Sequence, residues 1–135
     1  MRRLLALAAV SSLLVSTVFA GSSSAHVEKF DTTLRIDKSP NGQVGPGDKV
    51  LVFGKLKPSK CRLGQEVTVY EAGPGSDSAL GSDNLDGDGE YSVAIHPDSS
   101  LRVYAKVGSA VIVSNYQHTH KCKGDRSEKI KINVS

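Results

Sequence analysis

The sequence predicts an all-β chain, an antiparallel sandwich of about seven or eight short strands closed by one disulfide. Three observations carry this. Large and small or polar residues alternate in segment after segment, as Tyr91, Val93 and Ile95 do against Ser92, Ala94 and His96; this is the period of a strand with one buried face. Outside residues 1–20, apolar side chains nowhere recur at three-and-four spacing over ten residues, so no helix has a stripe to bury. Gly, Pro, Asn and Asp punctuate the chain at short intervals, the chemistry of frequent turns.

Residues 1–20 place Arg2 and Arg3 ahead of the apolar runs 4–10 and 13–15 and end on Val18-Phe19-Ala20 before Gly21. That run is too short for a stable membrane span and is soon followed by small residues, which marks a secretory signal peptide. Cleavage is expected after Ala20, and Ser23-Ser24-Ala25 offers a second small-residue site. Residues 21–27 then form a flexible lead and residues 28–135 the sandwich domain. The expected location is secreted or extracytoplasmic, with no membrane span after cleavage.

The full chain has 17 Lys and Arg against 14 Asp and Glu. Two of the cations lie in residues 1–20, so the exported chain carries 15 against 14. Net charge falls to about +1, and a general affinity for nucleic acid loses its support. Cys61 and Cys122 are the two cysteines, and in an exported chain they imply one disulfide.

The strands follow in order. Phe30, Thr32, Leu34 and Ile36 alternate with Asp31, Thr33, Arg35 and Asp37, the first strand. Ser39-Pro40-Asn41-Gly42 and Gly45-Pro46-Gly47-Asp48 break the chain twice, and a second strand runs from Val50 to Leu56 until Pro58 ends it. After the basic loop around Cys61, Val67 and Val69 give a third strand, and Ala79, Leu80 and Ser82 a short fourth at an edge. Tyr91, Val93 and Ile95 form the fifth. The sixth turns Leu101, Val103, Ala105 and Val107 inward and Arg102, Tyr104 and Lys106 outward. Gly108-Ser109 has the form of a two-residue hairpin turn leading into Ala110-Val111-Ile112-Val113. Residues 110–125 read either as half of a long hairpin or as a loop before the last strand, Ile130, Ile132 and Val134. The expected core is Phe30, Leu34, Ile36, Val50, Val52, Val67, Val69, Tyr91, Val93, Ile95, Val103, Ala105, Ile130 and Ile132.

The turn before the fifth strand is more specific. Asp86-Gly87-Asp88-Gly89-Glu90-Tyr91-Ser92-Val93 resembles the Thr-Asp-x-x-Gly-x-Tyr/Phe signature of carboxypeptidase-regulatory-like domains, with Leu85 where that signature usually has Thr. Gly54-Lys55-Leu56, Val67-Thr68-Val69-Tyr70, Gly81-Ser82 and Tyr104-Ala105-Lys106-Val107 follow a similar order, covering most of residues 50–134. The resemblance implies an Ig-like or transthyretin-like (prealbumin-like) sandwich of the kind found in small exported bacterial domains. It also implies a module that binds, spaces or stiffens, with no catalytic residues and no cofactor.

Three groups of residues suggest chemistry. Asn84, Asp86 and Asp88 with Gly89 match the early positions of a calcium loop, but the twelfth position is Ile95, where an EF-hand needs a bidentate carboxylate. That leaves either a looser site of Asp83, Asp86, Asp88 and Glu90 or a turn whose Asp side chains bond nearby amides. His118, His120 and Cys122 share a face if their segment is extended, with donors suited to zinc or copper; a disulfide at Cys122 removes the thiolate, and a solvated polar loop is the plainer reading. His26 and His96 read as surface residues.

Finally, Lys60 and Arg62 flank Cys61 while Lys121 and Lys123 flank Cys122. A disulfide gathers these four cations around one exposed bridge, with Lys57 and Arg126 as extensions, a surface suited to anionic polymers or a partner's carboxylates. No nucleophile elbow, His-Glu-x-x-His or P-loop occurs, and Gly42-x-x-Gly45-x-Gly47 falls between strands. The expected function is that of an exported non-catalytic module contacting an anionic cell-surface polymer or a protein. The alternative is a small extracytoplasmic metal-binding protein using the acidic turn or the His-rich loop.

Overall fold

Val50 and Val52 from one sheet and Val67, Val69 and Val103 from another have no exposed surface at all, and the protein is built around that contact. The computed structural model describes residues 26–115 and 118–135; residues 1–25, with the expected signal peptide, and Tyr116-Gln117 lie outside them. In chain order the strands are β1 (His26–Phe30), β2 (Thr33–Leu34), β3 (Asp37–Ser39), β4 (Val50–Lys57), β5 (Glu66–Ala72), β6 (Ser78–Asn84), β7 (Glu90–Ile95), β8 (Leu101–Val107), β9 (Ala110–Asn115), β10 (His118–Cys122), β11 (Asp125–Arg126) and β12 (Ile130–Ile132). A 3₁₀ turn, Ser59–Cys61, follows β4.

The first layer has β8 at its centre, flanked on one side by β5 and then β6, and on the other by β11 and β12. In the second layer β4 is flanked by β7 on one side and by β2 and β3 on the other. Inward side chains of β4, β5, β7 and β8, with Ile132, interdigitate between the layers, and burial of this apolar surface is the main favourable term in folding. The all-β sandwich with one disulfide read from the sequence is the architecture observed. Its larger strand number comes from the division of the expected first strand among β1, β2 and β3 and from β10 and β11, which lie where no separate strand was read. The expected core is buried except for Phe30 and Ile130, which pack partly buried against it. Val44, Leu56, Val107, Ile112 and both cysteines also belong to it.

Four local expectations need correction. The run from Phe30 to Asp37 is not one strand. β1 belongs to a third, three-stranded sheet of order β1-β10-β9, while β2 and β3 pair with β4. Between β2 and β3 the Arg35 carbonyl accepts the Tyr91 hydroxyl at 2.7 Å, which interrupts the ladder without changing its register. Second, β1 opens at His26, so two residues assigned to the flexible lead are already strand.

Third, Gly108-Ser109 does not make a hairpin between β8 and β9. At Val107 one edge of β8 is taken by Val67 and the other by Asp125. With no edge free, the chain leaves the layer and β9 pairs with β10 instead. Residues 110–125 therefore contain a β9–β10 hairpin, not a polar loop. Fourth, Tyr104 points outward as its alternation requires, yet it is only 2% exposed. Tyr70 stacks on it at 5.5 Å and the Arg126 guanidinium covers it at 4.4 Å.

The sandwich is also not wholly antiparallel. β1 runs parallel to β10, and an isolated parallel bridge joins Val44 to Val134. That bridge explains why an apolar residue in the turn-rich stretch after Pro40 is buried.

Candidate functional site

The third sheet gathers His26, His118, His120, Lys121 and Cys122 of the singled-out residues. Its parallel register sets His26 beside His118, Glu28 beside His120 and Phe30 beside Cys122, with Val27 beside Thr119 and Lys29 beside Lys121. Across the hairpin, Ile112 lies opposite His120, Val111 opposite Lys121 and Val113 opposite Thr119. Successive side chains of a strand point to opposite faces, and the buried Ile112 and Cys122 identify the inner one. It carries His26, Glu28, Phe30, His118 and His120 as well. The outer face carries Val27, Lys29, Val111, Val113, Thr119 and Lys121.

The disulfide fastens this sheet to the sandwich. Cys61, at the end of the 3₁₀ turn, bonds to Cys122 of β10 with an S–S distance of 2.03 Å and a Cα–Cα distance of 5.8 Å. The bridge was expected to be exposed, but both cysteines are buried. Their neighbours consequently diverge. Lys60 turns to the inner face, where its Nζ lies 3.7 Å from Glu28 Oε2 and 5.3 Å from the Phe30 ring centre. Arg62 donates from Nε to the Leu56 carbonyl at 3.0 Å and lies against Gly89, whose φ is +77° and which has no room for a Cβ beside the guanidinium.

Lys121 and Lys123 remain exposed on the other side. Lys29 joins them in a shallow groove of about 340 Å³ that also includes Phe30 and Asp31. Sequence reading missed Lys29; its outward position in β1 was visible, but its neighbour in β10 was not. Of the two extensions, Lys57 closes β4 opposite Thr33, while Arg126 is held over Tyr104.

On the inner face the histidines sit in a strand rather than a loop. His26 and His118 meet edge to face with ring centres 5.9 Å apart, and His26 Nε2 lies 3.2 Å from Glu28 Oε1. His26 is thus a surface residue with partners. His120 meets the Phe30 ring at 5.3 Å, and its Nδ1 is buried with no hydrogen-bond partner. His96 stands apart, with Nδ1 3.2 Å from the Gly47 carbonyl.

The acidic turn is built as a turn. Asp86 Oδ1 accepts the backbone N–H groups of Asp88 and Glu90, each at 2.9 Å, and the Asp86 carbonyl accepts the Gly89 N–H at 3.0 Å. Asp83 Oδ2 accepts the Ser92 N–H at 2.8 Å. These carboxylate oxygens bond the backbone, as Asx turns do. Among the described residues, no three His, Cys, Asp or Glu side chains converge on a point where an ion could sit.

A concavity of about 1200 Å³ opens along β2, β4 and β7 beside Arg35, Phe53, Asp83, Glu90 and Asp125. It mixes both signs of charge, and Asp125 is engaged there by the Leu34 N–H at 2.8 Å. The chain matches no protein-family model and no curated protein sequence.

Proposed function

We propose that the protein is an exported, non-catalytic module of the transthyretin-like type that binds an anionic cell-surface polymer through Lys29, Lys121 and Lys123. The observation that supports this reading above the others is the register that sets Lys29 beside Lys121. Like charges side by side on neighbouring strands destabilise a sheet, and a polyanion laid across them converts that repulsion into attraction. Lys123 extends the charge along the groove. Val27, Val111 and Val113, 46%, 63% and 65% exposed, offer apolar contact for a polymer backbone on the same face. Export agrees with the disulfide and with the finding that no helix among the described residues is long and apolar enough to cross a membrane.

The test is co-sedimentation and fluorescence titration with purified teichoic acid and, separately, with polyglutamate. Teichoic acid binding should weaken steeply between low and physiological salt. It should fall at least tenfold in the Lys29→Gln, Lys121→Gln, Lys123→Gln variant, with Lys57→Gln as control. Capture of polyglutamate alone would replace the polymer with an acidic protein partner. Binding that ignores both salt and the three lysines would overturn the reading.

A further inference from the structure

The inner face of the same sheet supports a second, separate reading, which rests on export of the protein and on cleavage after Ala25 rather than Ala20. Ser23-Ser24-Ala25 places small residues three and one positions before His26, the pattern of a signal-peptide cleavage site. Cleavage there makes His26 the first residue of the mature chain and gives it a free α-amine. We propose that this processing creates a copper(II) site from the α-amine and Nδ1 of His26 and one imidazole nitrogen of His118.

Three features of the geometry argue for it. First, the parallel pairing of β1 with β10 puts the two rings side by side with centres 5.9 Å apart. Two imidazoles on opposite sides of one ion have ring centres about 6 Å apart, given a metal–nitrogen bond of about 2.0 Å and a ring radius of about 1.1 Å. Second, His26 Nε2 faces Glu28 Oε1 at 3.2 Å. A ring nitrogen that donates to a carboxylate fixes the tautomer and leaves the other nitrogen as the ligand atom. The remaining nitrogen is Nδ1, the one nearest the backbone, and it closes a chelate ring with the α-amine of the same residue.

Third, the donor count closes without a third side chain. Three nitrogens come from two residues, which is why a site can form here although no three ligating side chains converge among the described residues. His26 is 63% exposed at its side chain, so a fourth position faces solvent. An all-nitrogen set with an open position suits copper(II), which also stands highest among the divalent first-row ions in affinity for such donors. The exposed lysines of the opposite face take no part.

The experiment starts from the full precursor expressed in an exporting host, with the mature protein purified from the medium. Intact mass and N-terminal sequencing should show a chain beginning at His26. Titration with copper(II) should saturate at one equivalent, with an electron paramagnetic resonance spectrum split by three nitrogens. A variant whose mature chain keeps residues 21–25 ahead of His26 retains both imidazoles and the fold but turns the His26 amine into a peptide nitrogen five residues from the terminus; its affinity should drop at least a hundredfold. His118→Ala should lose as much. Glu28→Gln should lose roughly ten- to a hundredfold, the usual effect of removing such a supporting carboxylate, and His96→Ala should change nothing. A wild-type mature chain that begins at Gly21, or copper binding indifferent to the retained residues 21–25 or to His118→Ala, would overturn the proposal. Either result leaves the polymer reading to stand or fall on its own assay.

Discussion

The Tyr104 hydroxyl donates to Asp77 Oδ2 at 2.5 Å, tying the centre of β8 to the loop that leads into β6. The bond stands at the edge of a small outer cluster in which Tyr70 stacks on Tyr104 and Arg126 lies over it. It holds the Asp77 carboxyl below its ordinary value, helped by the Gly73 N–H, and holds the Tyr104 hydroxyl above its own.

Both shifts give stability a pH dependence. The folded Asp77 is the stronger acid, so its contribution is present above the unfolded value of about 3.9 and is lost as pH falls through the lower folded value. Tyr104 runs the other way. Its contribution is complete below about pH 10 and is lost as pH rises toward the folded value; Tyr91, whose hydroxyl burial pushes far upward, adds to that alkaline loss. Urea denaturation across pH should therefore show Asp77→Asn flattening the acid limb. An acid limb unchanged by Asp77→Asn would show that the pair contributes nothing.

The disulfide closes a span of 61 residues. In the chain-entropy account such a loop contributes about 4 kcal/mol, a large part of a small domain's stability. Cys61→Ala with Cys122→Ala should lower the unfolding free energy by about that amount, read from urea midpoints. Since the bridge also anchors the third sheet, hydrogen exchange should rise first in β1, β9 and β10. Uniform loss of protection would contradict this.

Gly54 is required by a close approach. A Cβ there would lie 1.9 Å from the Arg35 carbonyl oxygen and 2.8 Å from the Tyr91 hydroxyl. Gly54→Ala should cost about 3 kcal/mol, because backbone rather than a movable side chain blocks the space. Tyr91→Phe leaves the ring in place but removes the hydroxyl that satisfies Arg35, and should cost about 1–3 kcal/mol. Thermal unfolding of both variants checks the order; Gly54→Ala as mild as a surface change would refute it.

How much of this was legible depended on the range of the interaction. Tyr91, Val93 and Ile95 announce a strand and its buried face because alternation is a property of adjacent residues. Asp86 with Gly89 announces a turn because its bonds span at most four residues. The Gly108-Ser109 hairpin failed for the opposite reason. The dipeptide has suitable turn chemistry, but whether a hairpin forms depends on a free edge of β8, and residues distant in sequence occupy both. Tyr104 likewise kept its predicted face while its exposure was decided by Tyr70 and Arg126.

The candidate sites divide in the same way. Which residues are cationic or metal-ligating, which of them share a strand face, and that two cysteines are available to pair were all present in the order of amino acids. Folding alone decided that Lys29 neighbours Lys121, that His26 neighbours His118, and that Lys60 and Arg62 turn away from the lysines of β10. The physical reason is that β1 meets β10 through a parallel pairing between chain ends, and local pattern says which way a side chain points but never which distant strand will lie beside it.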